Sequence, residues 1–299
     1  MPATTDKSGI DVSIIVLTLN EEKNIALCLS GIFSQHTNLR YEVLVIDSSS
    51  SDRTVEIAST FPVTIHRIQR NEFHHGGTRN LGARLSAGKY LVFLAGDAYP
   101  VSEHWLETLI QPMANDEMLA GIYGKQIPKP GCDPINAFRM SWNYNDEKLL
   151  KKKNLQNHLG HRLASFSTVN CSIRRTAWEA HHFREDIPIY EDYAFAQQTL
   201  DEGKSLLYEP LASVYHSHNL GTWDILYRYY FSGYILHRLN AADNLDGRFT
   251  SEGRRYFVHG VTTLFKEKKY LWVVKFICHT MAGYGGLLIG KQKARFEYV

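Results

Sequence analysis

The sequence predicts an α/β fold built on a mostly parallel central sheet, followed by a C-terminal helical extension. Three observations predict it. Residues 12–18 (VSIIVLT) are a continuous apolar, β-branched run, the mark of a strand buried on both faces, and 41–46 (YEVLVI) and 90–95 (YLVFLA) read as further strands. Helix-period segments separate them, and strand–helix alternation at this spacing means parallel crossovers. Polar residues collect where the runs end, at Asn20 and Glu21, at Asp47 with its serines, and at Asp97. In such sheets ligands lie outside the carboxyl ends of the strands.

Each element follows in order. After the first strand, Asn20 offers an N-cap with Glu21 and Glu22 in the first turn, and Ile25, Cys28, Leu29, Ile32 and Phe33 repeat at helical spacing. The strand at 41–46 ends on Asp47. Residues 50–61 predict a second helix, 63–68 a third strand, and 77–87 a short helix closed by Gly88. The strand at 90–95 stops just before Asp97, and 102–113 read as a helix with Trp105, Leu106, Leu109, Ile110 and Met113 inward. From 124 to 163 the periodicity weakens, and KQIPKPGCDP is a loop by composition. The run Lys151, Lys152, Lys153 reads first as a solvated helix face or loop, and alternatively as a flap over an anionic ligand. Residues 166–173 predict a strand, 176–180 and 191–202 helices, and 206–215 a strand. Beyond 220 the texture becomes aromatic helix. The expected domains are therefore 1–220, with a donor half at about 1–123 and an acceptor half at about 124–220, and a helical extension at 221–299.

Composition excludes several classes. The 299 residues carry 33 Lys+Arg against 31 Asp+Glu, a net +2, too balanced for a nucleic-acid binder that works by bulk charge. Cys28, Cys132, Cys171 and Cys278 are scattered, with no metal-knuckle spacing, which points to a reducing compartment. No G-x-G-x-x-G follows the first strand, where TLNEE stands instead, so a dinucleotide-dependent oxidoreductase is excluded. The longest apolar stretch, 270–289, is interrupted by Lys275 and His279 and makes a poor spanning helix. The expected location is the cytosol, with peripheral contact at the inner face of the cell membrane left open.

Four carboxylates and two histidines carry the chemistry: Asp47, Asp97, the adjacent Glu191 and Asp192, and His216 and His218 in YHSHN. The strings SIIVLTLNEEKNI, VIDSSSSDRT, FHHGGTRNLGA, LAGDA and YEDYAFAQQ occur in that order between residues 12 and 218. Together they resemble glycosyltransferase family 2, inverting enzymes of the GT-A fold. FHHGGTRN with the later histidines looks most like the rhamnosyltransferase branch, whose donor is usually dTDP-L-rhamnose. The resemblance implies that Thr18, Leu19 and Glu21 line the base and ribose and that Asp47 hydrogen-bonds the pyrimidine edge. Arg79 would lie near the nucleotide and its diphosphate, with Gly77 in the adjoining turn. Asp97 would hold a divalent cation, Mg²⁺ or Mn²⁺, joined by His216 or His218. Asp192, with Glu191 beside it, matches the catalytic base. Asn170 and Arg174 lie where the family often contacts acceptor or diphosphate, and Trp142 could face a sugar.

The chemistry needs these residue types. A leaving diphosphate develops negative charge, which a hard cation offsets. The attacking hydroxyl must lose a proton to a carboxylate on the opposite face, and in-line attack with one base inverts the anomeric centre. One position departs from the fuller Asp-x-Asp pattern: Ala95 stands where the first aspartate, a ribose partner, is usual. That favours a deoxyribose nucleotide such as dTDP over UDP; a UDP-hexose or UDP-N-acetylhexosamine donor is the alternative, and a non-catalytic nucleotide-sugar binding module is the rival of a different class. The expected partners are a nucleotide-sugar donor and a saccharide or lipid-linked glycan acceptor. The C-terminal residues 256–296 mix apolar and aromatic side chains with lysines. They suit interfacial helices on an anionic leaflet, or equally a cover for the catalytic domain or a second copy of the chain. Gly283, Gly285, Gly286 and Gly290 argue against one long regular helix there.

Overall fold

The computed structural model describes residues 9–155, 164–239 and 246–296. Two compact units emerge. One comprises Met1–Gln126, Asp146–Lys153 and Ala164–His216; the other Ile127–Asn145, Asn154–Leu163 and Ser217–Val299.

The first unit is built on a mixed sheet of nine strands among the described residues. Its parallel half is β1 (Val12–Thr18), β2 (Tyr41–Asp47), β3 (Thr64–Arg67) and β4 (Tyr90–Ala95), in the order β3-β2-β1-β4. The interiors of β1, β2 and β4 are almost wholly buried, which is why their sequences read as unbroken apolar runs. The sheet continues through β8 (Asn170–Arg174), β6 (Leu119–Ile127), β9 (Ser205–Tyr215) and the short β5 (Tyr99–Pro100), while β7 (Leu149–Lys151) pairs with β9. β8 runs antiparallel to β4, with Leu94 opposite Asn170.

Helices α1 (Ile25–Phe33), α2 (Thr54–Ala58), α3 (His75–Leu85) and α4 (Trp105–Asn115) connect the first strands. α1 and α4 pack Ile25, Leu29, Ile32, Trp105, Leu109 and Met113 into the main core. α6 (Arg175–Ala180) follows β8, and α7 (Glu191–Asp201) precedes β9.

Several local expectations change. Asn20 is not an N-cap: it takes a left-handed conformation, and the helix starts at Ile25. The second helix shortens to five residues because Asp52 and Thr54 hold a turn ahead of it. α3 begins at His75 and is capped by His74, whose Nδ1 accepts from the Gly77 N–H at 3.2 Å. Its end is at Ser86 rather than Gly88. Lys151 is neither a solvated face nor a flap. It is buried on β7, donates from Nζ to the Ser165 carbonyl at 2.5 Å, and lies over the Tyr123 ring. Lys152 and Lys153 beside it are exposed, and the rest of that basic stretch from residue 156 lies outside the described residues.

The second unit contains α5 (Pro134–Asn143), α8 (Thr222–Arg238), α9 (Asp246–Lys266) and α10 (Tyr270–Phe296). Ile135, Phe138, Leu264 and Phe276 form its core. The glycines do not break α10, which runs 27 residues without interruption. Gly286 and Gly290 sit against the α8 backbone, where any Cβ would overlap the carbonyls of Leu226 and Tyr230; Gly233 of α8 meets Leu287 in the same way. Glycine is kept there for close approach, and packing outweighs its poor helix propensity.

Candidate active site

The carboxyl ends of β1 and β2 form the floor of the site. Thr18 and Asp47 stand opposite one another in register. Asp47 is fully buried; its Oδ2 accepts the Ser50 N–H at 3.0 Å and lies 3.3 Å from Arg67 Nε. Its Oδ1 has no hydrogen-bond partner among the described residues, and neither does Thr18 Oγ1. A buried acceptor left unsatisfied costs about 1–3 kcal/mol, so the pair is suited to meet a ligand donor. Gly96 stands against Thr18, where a Cβ would come within 2.9 Å of the Thr18 Cβ. The loops after β1 and β2 are tied together. The Asn20 N–H donates to Ser50 Oγ at 2.9 Å, Asn20 Oδ1 accepts from the Ser51 N–H at 2.9 Å, and the Glu21 N–H donates to Thr54 Oγ1 at 2.7 Å. Leu19 is half-buried, and the Glu21 carboxylate accepts from Asn24 Nδ2 at 2.7 Å.

Asp97 follows β4, and His216 follows β9. His216 Nε2 lies 3.4 Å from Asp97 Oδ1. Asp97, His216 and His218 each place one ligand atom within 4.8 Å of the others. His218 is the third residue past the end of β9, so this strand end brings it there. The two imidazoles and one carboxylate fit a divalent metal ion by donor chemistry. On the other ring nitrogen, His216 Nδ1 lies 2.8 Å from Gln126 Oε1, and Gln126 Nε2 donates to Ser167 Oγ at 2.9 Å.

The acid pair opens α7. Glu191 is buried; its Oε1 lies 3.2 Å from Arg79 Nη1 and accepts from Thr168 Oγ1 at 3.4 Å. Asp192 receives a backbone hydrogen bond from Thr168. Burial, then the neighbouring Glu191 charge, pushes the Asp192 carboxyl up to about 7, against the opposing pull of Arg79. The Val169 carbonyl accepts the Ala95 N–H at 3.0 Å. The three residues Ser167, Thr168 and Val169 therefore touch the histidine side, the acid pair and the end of β4 in succession.

Other expected residues are placed elsewhere. Gly77 does not offer its N–H to an anion, because His74 accepts it. Arg79 is turned inward onto Glu191 and the His75 carbonyl (2.8 Å), although its Nε has no partner among the described residues. Asn170 is fully buried and committed to Trp105 Nε1 (2.9 Å) and the Ala212 carbonyl (2.7 Å). Arg174 sits opposite Tyr90, at the start of β4 rather than its end, and donates to the backbone carbonyls of Leu119, Met113 and Asp116. Neither offers its polar groups to an acceptor sugar. Trp142 belongs to the second unit, in an aromatic cluster with Phe138, Tyr256 and His259. Gln126, Ser167 and Thr168 went unnoticed in the sequence; no motif marks them, and only the sheet order assembles them.

Comparison with known proteins identifies the family and the fold. Residues 13–179 match the model of glycosyl transferase family 2. The O-antigen chain rhamnosyltransferase WbaN of Salmonella anatum is 32% identical over 263 residues, covering 87% of this chain and 82% of that protein. The O-antigen chain rhamnosyltransferase RfbN of Salmonella typhimurium is 28% identical over 285 residues, 94% of this chain and 90% of that one. Among solved structures, the mannosyltransferase PcManGT of Pyrobaculum calidifontis, in complex with GDP-Man and Mn²⁺, superposes with a TM-score of 0.60 at 16% identity, covering 93% of this chain and 86% of that chain. TarS 1–349 of S. aureus, in complex with UDP, gives 0.57 at 15% identity, covering 96% of this chain and 92% of that chain. These structural likenesses are of fold, the GT-A fold. With the family model matching more than half of the chain and a relative 32% identical along most of it, the chain belongs to glycosyl transferase family 2 and is a glycosyltransferase.

Proposed function

We propose that the enzyme transfers L-rhamnose from dTDP-L-rhamnose, with inversion, to a hydroxyl of a saccharide or lipid-linked glycan during bacterial surface-polysaccharide assembly at the cytoplasmic face. One observation carries this reading. A metal-ligand cluster at Asp97 and a proton-accepting carboxylate at Asp192 both adjoin the end of β4 through the segment Ser167–Thr168–Val169.

The chain's own residues divide the work. Asp47 Oδ1 accepts the imide N–H of a thymine ring, and the Thr18 hydroxyl supplies a second polar contact there. Ala95 suits a 2′-deoxyribose, since it presents no carboxylate to a 2′-hydroxyl. Asp97, His216 and His218 would hold the cation; bound there, it would supply charge compensation for the departing diphosphate. Of the two ions expected, the imidazole donors favour Mn²⁺ over the oxygen-seeking Mg²⁺. Asp192 takes the acceptor proton, while Arg79 holds Glu191 in place beside it. The acceptor oxygen, losing its proton to that single base, attacks in line as the bond from the anomeric carbon to the diphosphate breaks, and the anomeric centre inverts. The rhamnose donor itself is supported by the two O-antigen rhamnosyltransferases that resemble the chain along most of its length.

The test is a panel of dTDP-, UDP- and GDP-sugars with Mn²⁺, following nucleotide release. Release of dTDP from dTDP-L-rhamnose is expected. Release of UDP without dTDP overturns the donor and favours a UDP-hexose or UDP-N-acetylhexosamine transferase; no release with any donor and acceptor favours a binding module.

A further inference from the structure

α10 reverses the usual pattern of a surface helix. Its inner face is made of Phe276, His279, Gly283, Gly286, Gly290 and Ala294, all buried. Its outer face carries Leu271 (86% exposed), Val274 (62%), Met281 (69%), Tyr284, Leu288 and Ile289. With the exposed Cys278, positions 271, 274, 278, 281, 284 and 288 recur at three- and four-residue intervals, and Ile289 adjoins the last of them, so they make one apolar stripe along the helix. A helix resting on a soluble protein turns its large apolar groups inward and its charges outward. Here, from Gly283 onward, small residues face inward and large apolar groups face out.

Two further features define what would cover the stripe. Glycine-mediated backbone contact between α8 and α10 is the packing mode of helices in lipid, where close approach replaces hydrophobic burial as the source of association. Residues 266–296 contain seven Lys or Arg and one acidic residue, Glu267, and the stretch 276–290 between them carries no Asp, Glu, Lys or Arg. The basic groups thus gather toward both ends of the stripe, with Lys266 and Lys268 before it, Lys275 beside its first turn, and Lys291, Lys293 and Arg295 after it. A second copy of the chain, laid along this face in either direction, would bring like charge against like. An anionic lipid surface is complementary at both ends.

We infer that the outer face of α10 inserts into the interfacial region of an anionic bilayer, with its flanking lysines and arginine among the headgroups. The geometry points to lying in the interface rather than spanning. The uncharged stretch of 15 residues, 276–290, is roughly 22 Å long at 1.5 Å per residue, short of the roughly 30 Å hydrocarbon core. Only 28% of the most apolar window of α10 is buried, so most of that window is open to lipid. This inference stands apart from the donor and the catalytic step and is tested without either.

The experiment uses the full chain with sonicated vesicles of phosphatidylcholine alone or with three parts in ten phosphatidylglycerol. Cosedimentation is expected with the anionic vesicles and at least tenfold less with the zwitterionic ones; high salt weakens binding without abolishing it, because acyl-chain contact persists. Cys278 is exposed on the stripe, so a polarity-sensitive dye there, in a Cys132→Ser background, shifts to the blue when anionic vesicles are added. The Met281→Glu/Leu288→Glu double variant keeps the thermal midpoint of the parent and loses the partition at least tenfold. A parent that stays in the supernatant with anionic vesicles overturns the inference, as does a double variant that binds equally well. So does a parent that sediments as a dimer and becomes a monomer on the double substitution, since that assigns the face to a second copy. If the double variant melts early, Leu271→Gln, at the other end of the stripe, replaces it and must lower the partition for the inference to stand.

Discussion

The Oε1 atom of Gln126 lies 2.8 Å from Nδ1 of His216, and the amide's other end donates to Ser167. Because Nε2 of Gln126 is used as a donor, Oε1 is the acceptor facing His216, so the ring proton sits on Nδ1. That tautomer aims the Nε2 lone pair at the Asp97 side, where a cation would be held. Gln126 is thus a positioning residue. Gln126→Leu is expected to weaken Mn²⁺ binding roughly 10- to 100-fold, read by electron paramagnetic titration of free Mn²⁺, while Gln126→Glu, which keeps an acceptor, retains most of it. Equal Mn²⁺ affinity in the parent and the leucine variant would remove the role.

Chelation tests the cation more directly. EDTA is expected to abolish transfer, with Mn²⁺ restoring it better than Mg²⁺. An Asp97→Ala variant that transfers normally in EDTA would contradict the assignment.

Asp192 sets the acid limb of the pH profile. A base titrating near 7 accepts a proton only when ionised, so kcat/KM is expected to rise about tenfold per pH unit below that point and level off above it. Glu191→Gln removes the like charge and leaves Arg79 beside Asp192, so the limb moves to lower pH. Arg79→Gln removes the opposing cation, so it moves to higher pH. Shifts in the same direction for both variants would refute this charge arrangement.

Asp47 is tested by nucleotide binding. Replacing its carboxylate removes a charged hydrogen bond worth about 1.5–3 kcal/mol. Asp47→Ala is therefore expected to weaken dTDP binding roughly 10- to 100-fold by calorimetry. Unchanged affinity would place the base elsewhere.

The glycines of α10 separate packing from propensity. Gly290→Leu forces a side chain into the Tyr230 carbonyl and is expected to lower the thermal midpoint by several degrees. Gly285→Ala has no atom within 4 Å of the new Cβ and is expected to leave it unchanged or raise it, since alanine is favoured by about 1 kcal/mol in a helix. Equal effects would show that α8 and α10 do not depend on the close contact.

The parallel half of the sheet was legible because burial on both faces leaves its pattern in consecutive residues: β1 and β4 fall where the apolar runs at 12–18 and 90–95 put them. β6 was not legible. Its second half falls in the stretch from 124 that reads as loop, yet a Cβ at Gly124 would overlap the Ala212 carbonyl of a neighbouring strand. The reason for that glycine lies about 90 residues away. The same limit governs the site. Asp97 and His216 were visible as a motif and a late histidine, whereas Gln126 and Thr168 are ordinary polar residues until β6, β8 and β9 are laid side by side. Asn170 and Arg174 occupy plausible motif positions, but Trp105 and four backbone carbonyls hold their polar groups.

The segment Ser167–Thr168–Val169 has a thermodynamic corollary. It bears on the cation side through Gln126 and on the base through Asp192, so occupancy of one and protonation of the other act on the same backbone. Linkage between two such sites is reciprocal. Whatever factor a bound cation imposes on the proton affinity of Asp192, the proton imposes on the affinity for the cation.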